Sequence, residues 1–175
     1  MNIFIAQIIG AFAVACFIFS IQYKKKKDIL KLQFIANILY AIEYGFLGIF
    51  TATGMNLISS IRCLVFSKYG NKQIPIKTLY LFIGLIILVG YFSYQNLLSL
   101  IPIGITLLYI ISSYQKDTNK LRFMFLLCSI IWFYYNFKVQ AYVSLIGNLF
   151  EFISGIISLI RFRKEKRKKK TKKEN

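Results

Sequence analysis

Apolar residues run in seven blocks along the 175-residue chain, at approximately 3–22, 29–49, 51–67, 77–94, 96–114, 121–137 and 141–160. A helix needs roughly 20 residues to cross the hydrocarbon core of a bilayer. Backbone groups in lipid must be hydrogen-bonded within each segment, so blocks of this length predict helices rather than strands. The second and third blocks nearly fuse. Gly48 and Gly54, with Thr51 and Thr53, are the turn-forming punctuation there and predict a turn between them. No basic residue precedes the first block, and Lys24–Lys27 follow it. That polarity predicts a first membrane helix with its amino end outside, not a signal peptide.

The charges between blocks fall in a regular alternation. If all seven blocks cross, one face receives Lys24–Lys27 and Lys31, then Lys68, Lys72 and Lys77, then Lys116, Lys120 and Arg122, and last the ten basic residues from Arg161 to Lys173. The other face receives Lys138. Six or eight crossings would put basic loops on both faces. The positive-inside rule makes the basic face cytoplasmic, with the carboxyl terminus inside.

Composition narrows the class further. The chain is 57% apolar yet carries a formal charge of +17. A water-soluble domain this oily lacks the polar surface to cover itself, and a disordered chain would be poor in aromatics, which here make up 17%. Seven helices fill residues 1–160 and leave no room for a soluble enzyme domain. Histidine is absent, which removes Ser-His-Asp triads, HExxH zinc sites and His-ligated haem. Cys16, Cys63 and Cys128 lie in apolar blocks without a CxxC spacing and read as small buried hydrophobes. The expectation is a protein that is not an enzyme and holds no metal or cofactor. The tail from Arg161 is a topology anchor or a binding surface for anionic lipid; with no folded module beside it, nucleic acid is not expected. Self-assembly into a homo-oligomer is left open.

Sliding the chain by 92 residues pairs blocks one to three with blocks five to seven. Asn56-Leu57 falls on Asn148-Leu149, Ile61 on Ile153, Ser20 on Ser112 and Lys24 on Lys116. Tyr40 falls on Trp132, Asn37 on Ser129 and Gly10 on Pro102. Eight of the 61 pairs between Gln7/Ser99 and Ser67/Leu159 are identical, so the weight rests on polar positions and basic loops falling in step. Block four is a linker. Three helices invert the chain direction and a fourth restores it, so the two halves form parallel repeats about an axis normal to the membrane. The expected fold is an all-α polytopic membrane protein of seven transmembrane helices. It divides into a first three-helix repeat at 1–68, a loop and linker helix at 69–95, a second repeat at 96–162 and a basic tail at 163–175.

That architecture resembles the SWEET/PQ-loop (MtN3-like) superfamily. Within it the chain is most similar to the bacterial inner-membrane YgjV family. The residues that carry this resemblance are Ala6-Gln7, Lys31-Leu32-Gln33, Leu47-Gly48, Asn56 with Ile61-Arg62, and Ile160-Arg161-Phe162. The resemblance implies an inner-membrane location. It also implies a central pocket with an Asn on the third helix of each repeat, matched by Asn56 and Asn148, and an aromatic residue on the second helix of the second repeat, matched by Trp132. The PQ dipeptide of the superfamily is half present, as Ile21-Gln22 and Tyr114-Gln115, so a proline-based gate does not carry over. Pro102, nearer the outer end of its helix, is expected to kink it.

Ionisable groups inside a membrane are costly and default to functional candidates. Ser144, Asn148, Glu151 and Gly155 form one stripe on the seventh helix, and Ala52, Asn56, Ser59 and Cys63 the matching stripe on the third. A lone carboxyl at Glu151, where the other repeat has Ser59, is the pattern of a proton-coupled or cation-recognising site. The substrate-binding candidates are therefore Asn56, Asn148, Glu151, Ser59, Trp132, Asn37 and Tyr40. The plain alternative is that these groups bond to neighbouring helices as glue. Glu151 is either free of cations or paired with Arg62 across the halves, and Glu43 can reach for the same arginine. The function expected is that of a small-solute transporter, for a sugar-, polyol- or nucleoside-like molecule. A membrane receptor, chaperone or scaffold of the same fold is the alternative.

Overall fold

The computed structural model describes residues 2–70, 72–115 and 117–174. Lys116, one of the basic-face cations, and Asn175 lie outside the described residues, and so do the side chains of the tail beyond Lys164. The described chain forms seven helices: α1 (Asn2–Gln22), α2 (Lys26–Phe46), α3 (Phe50–Tyr69), α4 (Ile76–Phe92), α5 (Leu100–Tyr114), α6 (Thr118–Lys138) and α7 (Tyr142–Glu174). A 3₁₀ turn at Leu97–Ser99 leads into α5, capped by the Asn96 side chain on the Leu98 amide.

Three local details differ from the sequence expectation. The α2–α3 turn closes over Leu47–Ile49 on the positive φ of Gly48, and Gly54 lies inside α3. A Cβ on Gly54 would stand 2.7 Å from Val89 Cγ1, so its small size is what admits α4 against α3. Pro102 sits in the first turn of α5, where the missing N–H has no helical partner to lose, and the helix continues to Tyr114 without interruption. The tail does not leave the last helix: α7 runs on through the Lys/Arg-rich residues to Glu174, as their good helix propensity allows.

Six helices close a ring in which α1 packs on α2, α2 on α3, α3 on α5, α5 on α6, α6 on α7 and α7 back on α1. Helix α4 lies against α3 and α5. The ring is polar within and apolar without. Gln33, Asn37, Glu43, Asn56, Arg62, Arg122, Asn136 and Glu151 are buried, while Phe4, Phe12, Phe19, Leu81, Ile87, Tyr91 and Phe92 are exposed. Lipid rather than water satisfies such a surface. The same inversion explains the hydropathy of single helices. Ile3–Gln22, Leu97–Tyr114 and Tyr142–Lys164 are long and apolar enough to cross a membrane, and Ile76–Phe92 is apolar but shorter. Helices α2, α3 and α6 carry the buried Gln33, Asn37, Glu43, Asn56, Arg62, Arg122 and Asn136, which lowers their average.

The 92-residue offset reappears in the backbone. Helix α6 has the bounds of α2 moved by 92, and α7 starts 92 residues after α3. Gly48 has φ 73° and Gln140, its counterpart, φ 58°. Ile49 N donates to Tyr44 O at 2.9 Å, and Ala141 N to Asn136 O at 3.1 Å, so the two helix-ending turns use the same bond. A left-handed glutamine is uncommon, and its position is fixed by the turn rather than by its own preference.

Candidate functional site

A small cavity lies inside the ring, lined by Phe17, Asn37, Tyr40, Tyr44, Asn56, Tyr109, Trp132, Asn136, Asn148 and Glu151. Each element delivers its residues by helical spacing. Asn37, Tyr40 and Tyr44 share one face of α2, Trp132 and Asn136 one face of α6, and Asn148 and Glu151 one face of α7. Phe17 and Tyr109 come from α1 and α5, and Asn56 from α3. Eight of the ten lining residues fall into four pairs 92 residues apart: Phe17/Tyr109, Tyr40/Trp132, Tyr44/Asn136 and Asn56/Asn148.

One wall is aromatic. The Tyr40 and Tyr44 rings stack at 6.3 Å, Tyr44 and Trp132 at 5.8 Å with planes 16° apart, and Trp132 meets Tyr135 edge-on at 5.4 Å. The opposite chemistry is a directed chain of hydrogen bonds. Tyr44 Oη donates to Asn136 Oδ1 at 2.7 Å, Asn136 Nδ2 to Asn148 Oδ1 at 2.8 Å, and Asn148 Nδ2 to Glu151 Oε2 at 3.3 Å. Tyr40 Oη donates to the other oxygen, Oε1, at 2.7 Å. Each carboxyl oxygen of Glu151 thus ends a donor path, which is how a buried carboxylate avoids the cost of an unmet acceptor.

The structure brings six of the seven sequence candidates to this cavity: Asn37, Tyr40, Asn56, Trp132, Asn148 and Glu151. Ser59 is buried on α3 but does not reach the lining. Asn56 and Asn37 spend an amide N–H on their own helices, donating to Ala52 O at 2.9 Å and Gln33 O at 2.7 Å. Phe17, Tyr44, Tyr109 and Asn136 were not singled out in the sequence. Tyr44 and Asn136 each stand one turn beyond a candidate, at equivalent places in the two halves, and that register was the available signal.

Glu151 and Arg62 do not pair. Arg62 Nη1 donates to Tyr109 O at 3.0 Å and to Ser113 Oγ, and Nη2 approaches Cys63 Sγ at 3.3 Å. Glu43 does not reach Arg62 either. Both its oxygens lie within 2.8 Å of Ser144 Oγ on α7, and its carboxyl fills the space that a side chain at Gly10 would need.

Polar contacts bridge the helices toward both ends of the ring. Toward the amino end of α1, Glu43–Ser144 and the bond from Val143 N to Gln7 Oε1 join α2 and α1 to α7. At the basic end, Gln22 Nε2 donates to Ser154 Oγ at 2.7 Å, Arg62 ties α3 to α5, and Lys26 Nζ donates to Gln115 O at 3.0 Å. Arg122 of α6 in turn donates to Ile21 O and Tyr23 O at the end of α1. Gln115 and Tyr23 are 92 residues apart, so each half caps the first helix of the other with a cation from its own second helix. The enclosed volume open to the centre of a water molecule is about 20 Å³, room for one or two waters. No group of three or more metal-ligating side chains occurs among the described residues.

No curated protein and no solved structure matches the chain. The model of the Imp-YgjV family, described as bacterial inner membrane protein, matches residues 4–166, nearly the whole chain, and the chain therefore belongs to that family.

Proposed function

We propose that this membrane protein carries a small solute through the central cavity, which two three-helix halves enclose and open in turn. All seven helices cross the bilayer in this reading, with the amino end outside and the basic end in the cytoplasm. Helices α1–α3 and α5–α7 are parallel repeats, and α4 links them, as in the SWEET/PQ-loop superfamily. The observation that carries the proposal is the composition of the lining: eight of ten residues come as four pairs at the 92-residue offset. A two-fold arrangement that converges on one enclosed point is the geometry of alternating access. Stacked Tyr40, Tyr44 and Trp132 offer flat faces, and Asn37, Asn56, Asn136 and Asn148 offer amides. That set suits a sugar-, polyol- or nucleoside-like molecule. Chemistry on the solute is no part of the proposal.

The tightness of the cavity favours a second reading. A space of about 20 Å³ holds no sugar unless the halves part, and a receptor or scaffold of this fold would need no such movement. Thermal unfolding of the purified protein across sugars, polyols, nucleosides, vitamins and amines separates the two. The expected result is stabilisation by one chemical class, about 2.7 kcal/mol at a hundredfold excess over Kd, and loss of that stabilisation in Asn56→Ala. If no class stabilises the protein, or Asn56→Ala responds like the parent, the solute site is wrong.

A further inference from the structure

The described lining of the central cavity carries one carboxyl, Glu151, and no lysine or arginine. Glu151 is buried, and its two oxygens meet neutral donors, the Tyr40 hydroxyl and the Asn148 amide. A second buried carboxyl, Glu43, stands one turn along α2 from Tyr40, toward the amino end of α1. Arg62 lies on the other side, toward the basic end, with its guanidinium carbon 5.7 Å from the Tyr109 ring centre. A positive charge brought in beside Glu151 would be attracted strongly, because little water is there to screen it.

Half of the lining is aromatic. Phe17, Tyr40, Tyr44, Tyr109 and Trp132 come from α1, α2, α5 and α6, so rings reach the cavity from four helices. The face of such a ring attracts a cation, most strongly when both are out of water. Tyr109 already meets Arg62 in this way.

The hydrogen bonds decide which kind of cation fits. Tyr44 donates to Asn136, Asn136 to Asn148, and Asn148 and Tyr40 to Glu151, so these groups already serve one another. A primary ammonium brings three N–H donors, which would compete for the same oxygens. A quaternary ammonium donates nothing. It needs a negative charge and ring faces, and it leaves the chain of bonds intact. Asn56 donates an N–H to Ala52 O and keeps its amide oxygen for a hydroxyl.

We propose that the solute is a hydroxylated quaternary ammonium compound, a trimethylated amino alcohol, whose cationic head sits among Phe17, Tyr40 and Trp132 beside Glu151. This rests on the central-cavity reading and narrows its polyol-like class to members with a permanent positive charge.

Choline and 3,3-dimethylbutan-1-ol test it, because they share shape and hydroxyl and differ only in a charged nitrogen against a neutral carbon. Binding of each to the purified protein in neutral detergent is measured by calorimetric titration at matched ionic strength, with sorbitol and uridine alongside. The parent is expected to bind choline about tenfold more tightly than the neutral alcohol. Glu151→Gln should cut that ratio to about twofold. Phe17→Leu removes a ring that makes no hydrogen bond and should cut the ratio about threefold; it carries the test if Glu151→Gln fails to fold. Equal binding of choline and the alcohol by the parent, or a ratio unchanged in either variant, would overturn the proposal. Binding of sorbitol or uridine with no preference for choline would overturn the charge assignment and leave the solute cavity standing. No binding of any of the four would overturn both.

Discussion

Glu151→Leu is expected to destabilise the protein by about 2–6 kcal/mol, because it strands two buried donors at roughly 1–3 kcal/mol each. Those donors are Tyr40 Oη and Asn148 Nδ2. Glu151→Gln is expected to cost less, about 1 kcal/mol, since only the Tyr44 hydroxyl must find a new acceptor. Its carbonyl oxygen can accept from Tyr40. Its amide then faces Asn148, which turns to present oxygen, and Asn136 turns likewise. The chain Glu151–Asn148–Asn136–Tyr44 reverses direction and ends on the Tyr44 hydroxyl, which then accepts and has its own O–H free to turn to the cavity it lines. Because the substituted amide cannot titrate, any pH dependence of solute binding that stems from this carboxyl should vanish. Unfolding in detergent and solute binding as a function of pH measure both effects. A loss of several kcal/mol in Glu151→Gln would mean that a cation depends on the carboxylate, contrary to the partners seen for Arg62.

Gly147→Leu is expected to pry the two halves apart along the α1–α7 seam. A Cβ at Gly147 would stand 2.2 Å from Val14 Cγ2 and 2.9 Å from Cγ1. Valine is stiff at χ1 and cannot swing aside cheaply. Overpacking of this kind costs about 1–3 kcal/mol. The bonds Gln7–Val143 and Glu43–Ser144 bridge α7 to α1 and α2, so the cost should reach the upper end of that range. Val14→Ala in the same chain should restore part of the loss, giving a coupling of about 1 kcal/mol or more in a double-mutant cycle. Gly155→Ala is the control. Its Cβ would meet Leu126 Cδ1 at an ordinary 3.6 Å, and stability should hold. A Gly147→Leu protein as stable as the parent would show that this seam is loose.

Seven helices were legible because each is an apolar block bounded by charge or turn residues, and the 92-residue offset because polar positions and basic loops fall in step. The identity of partners was not. Periodicity puts Arg62 on a face of α3, but the carbonyl it meets depends on how far α5 is rotated, and that is set by packing. Glu43 looked like a partner for Arg62 and instead found Ser144, because Gly10 leaves room for its carboxyl to reach α7. Tyr44 and Asn136 escaped notice because a shared register between unlike residues is a weak signal until space shows both beside one cavity. The length of α7 was missed for a different reason: a run of lysines reads as a solvated tail, and helix propensity at a helix end is a weaker cue than charge.

The central claim is that one enclosed cavity communicates with each side of the membrane in turn. Phe17→Cys, in a chain whose Cys16, Cys63 and Cys128 are replaced by alanine, puts a single thiol in the cavity lining. Its labelling by a membrane-impermeant maleimide, in right-side-out and in inverted vesicles, is the direct measurement. Alternating access predicts slow labelling from both sides and protection by the solute class that raises the melting temperature. Labelling from one side alone, or from neither, would contradict it.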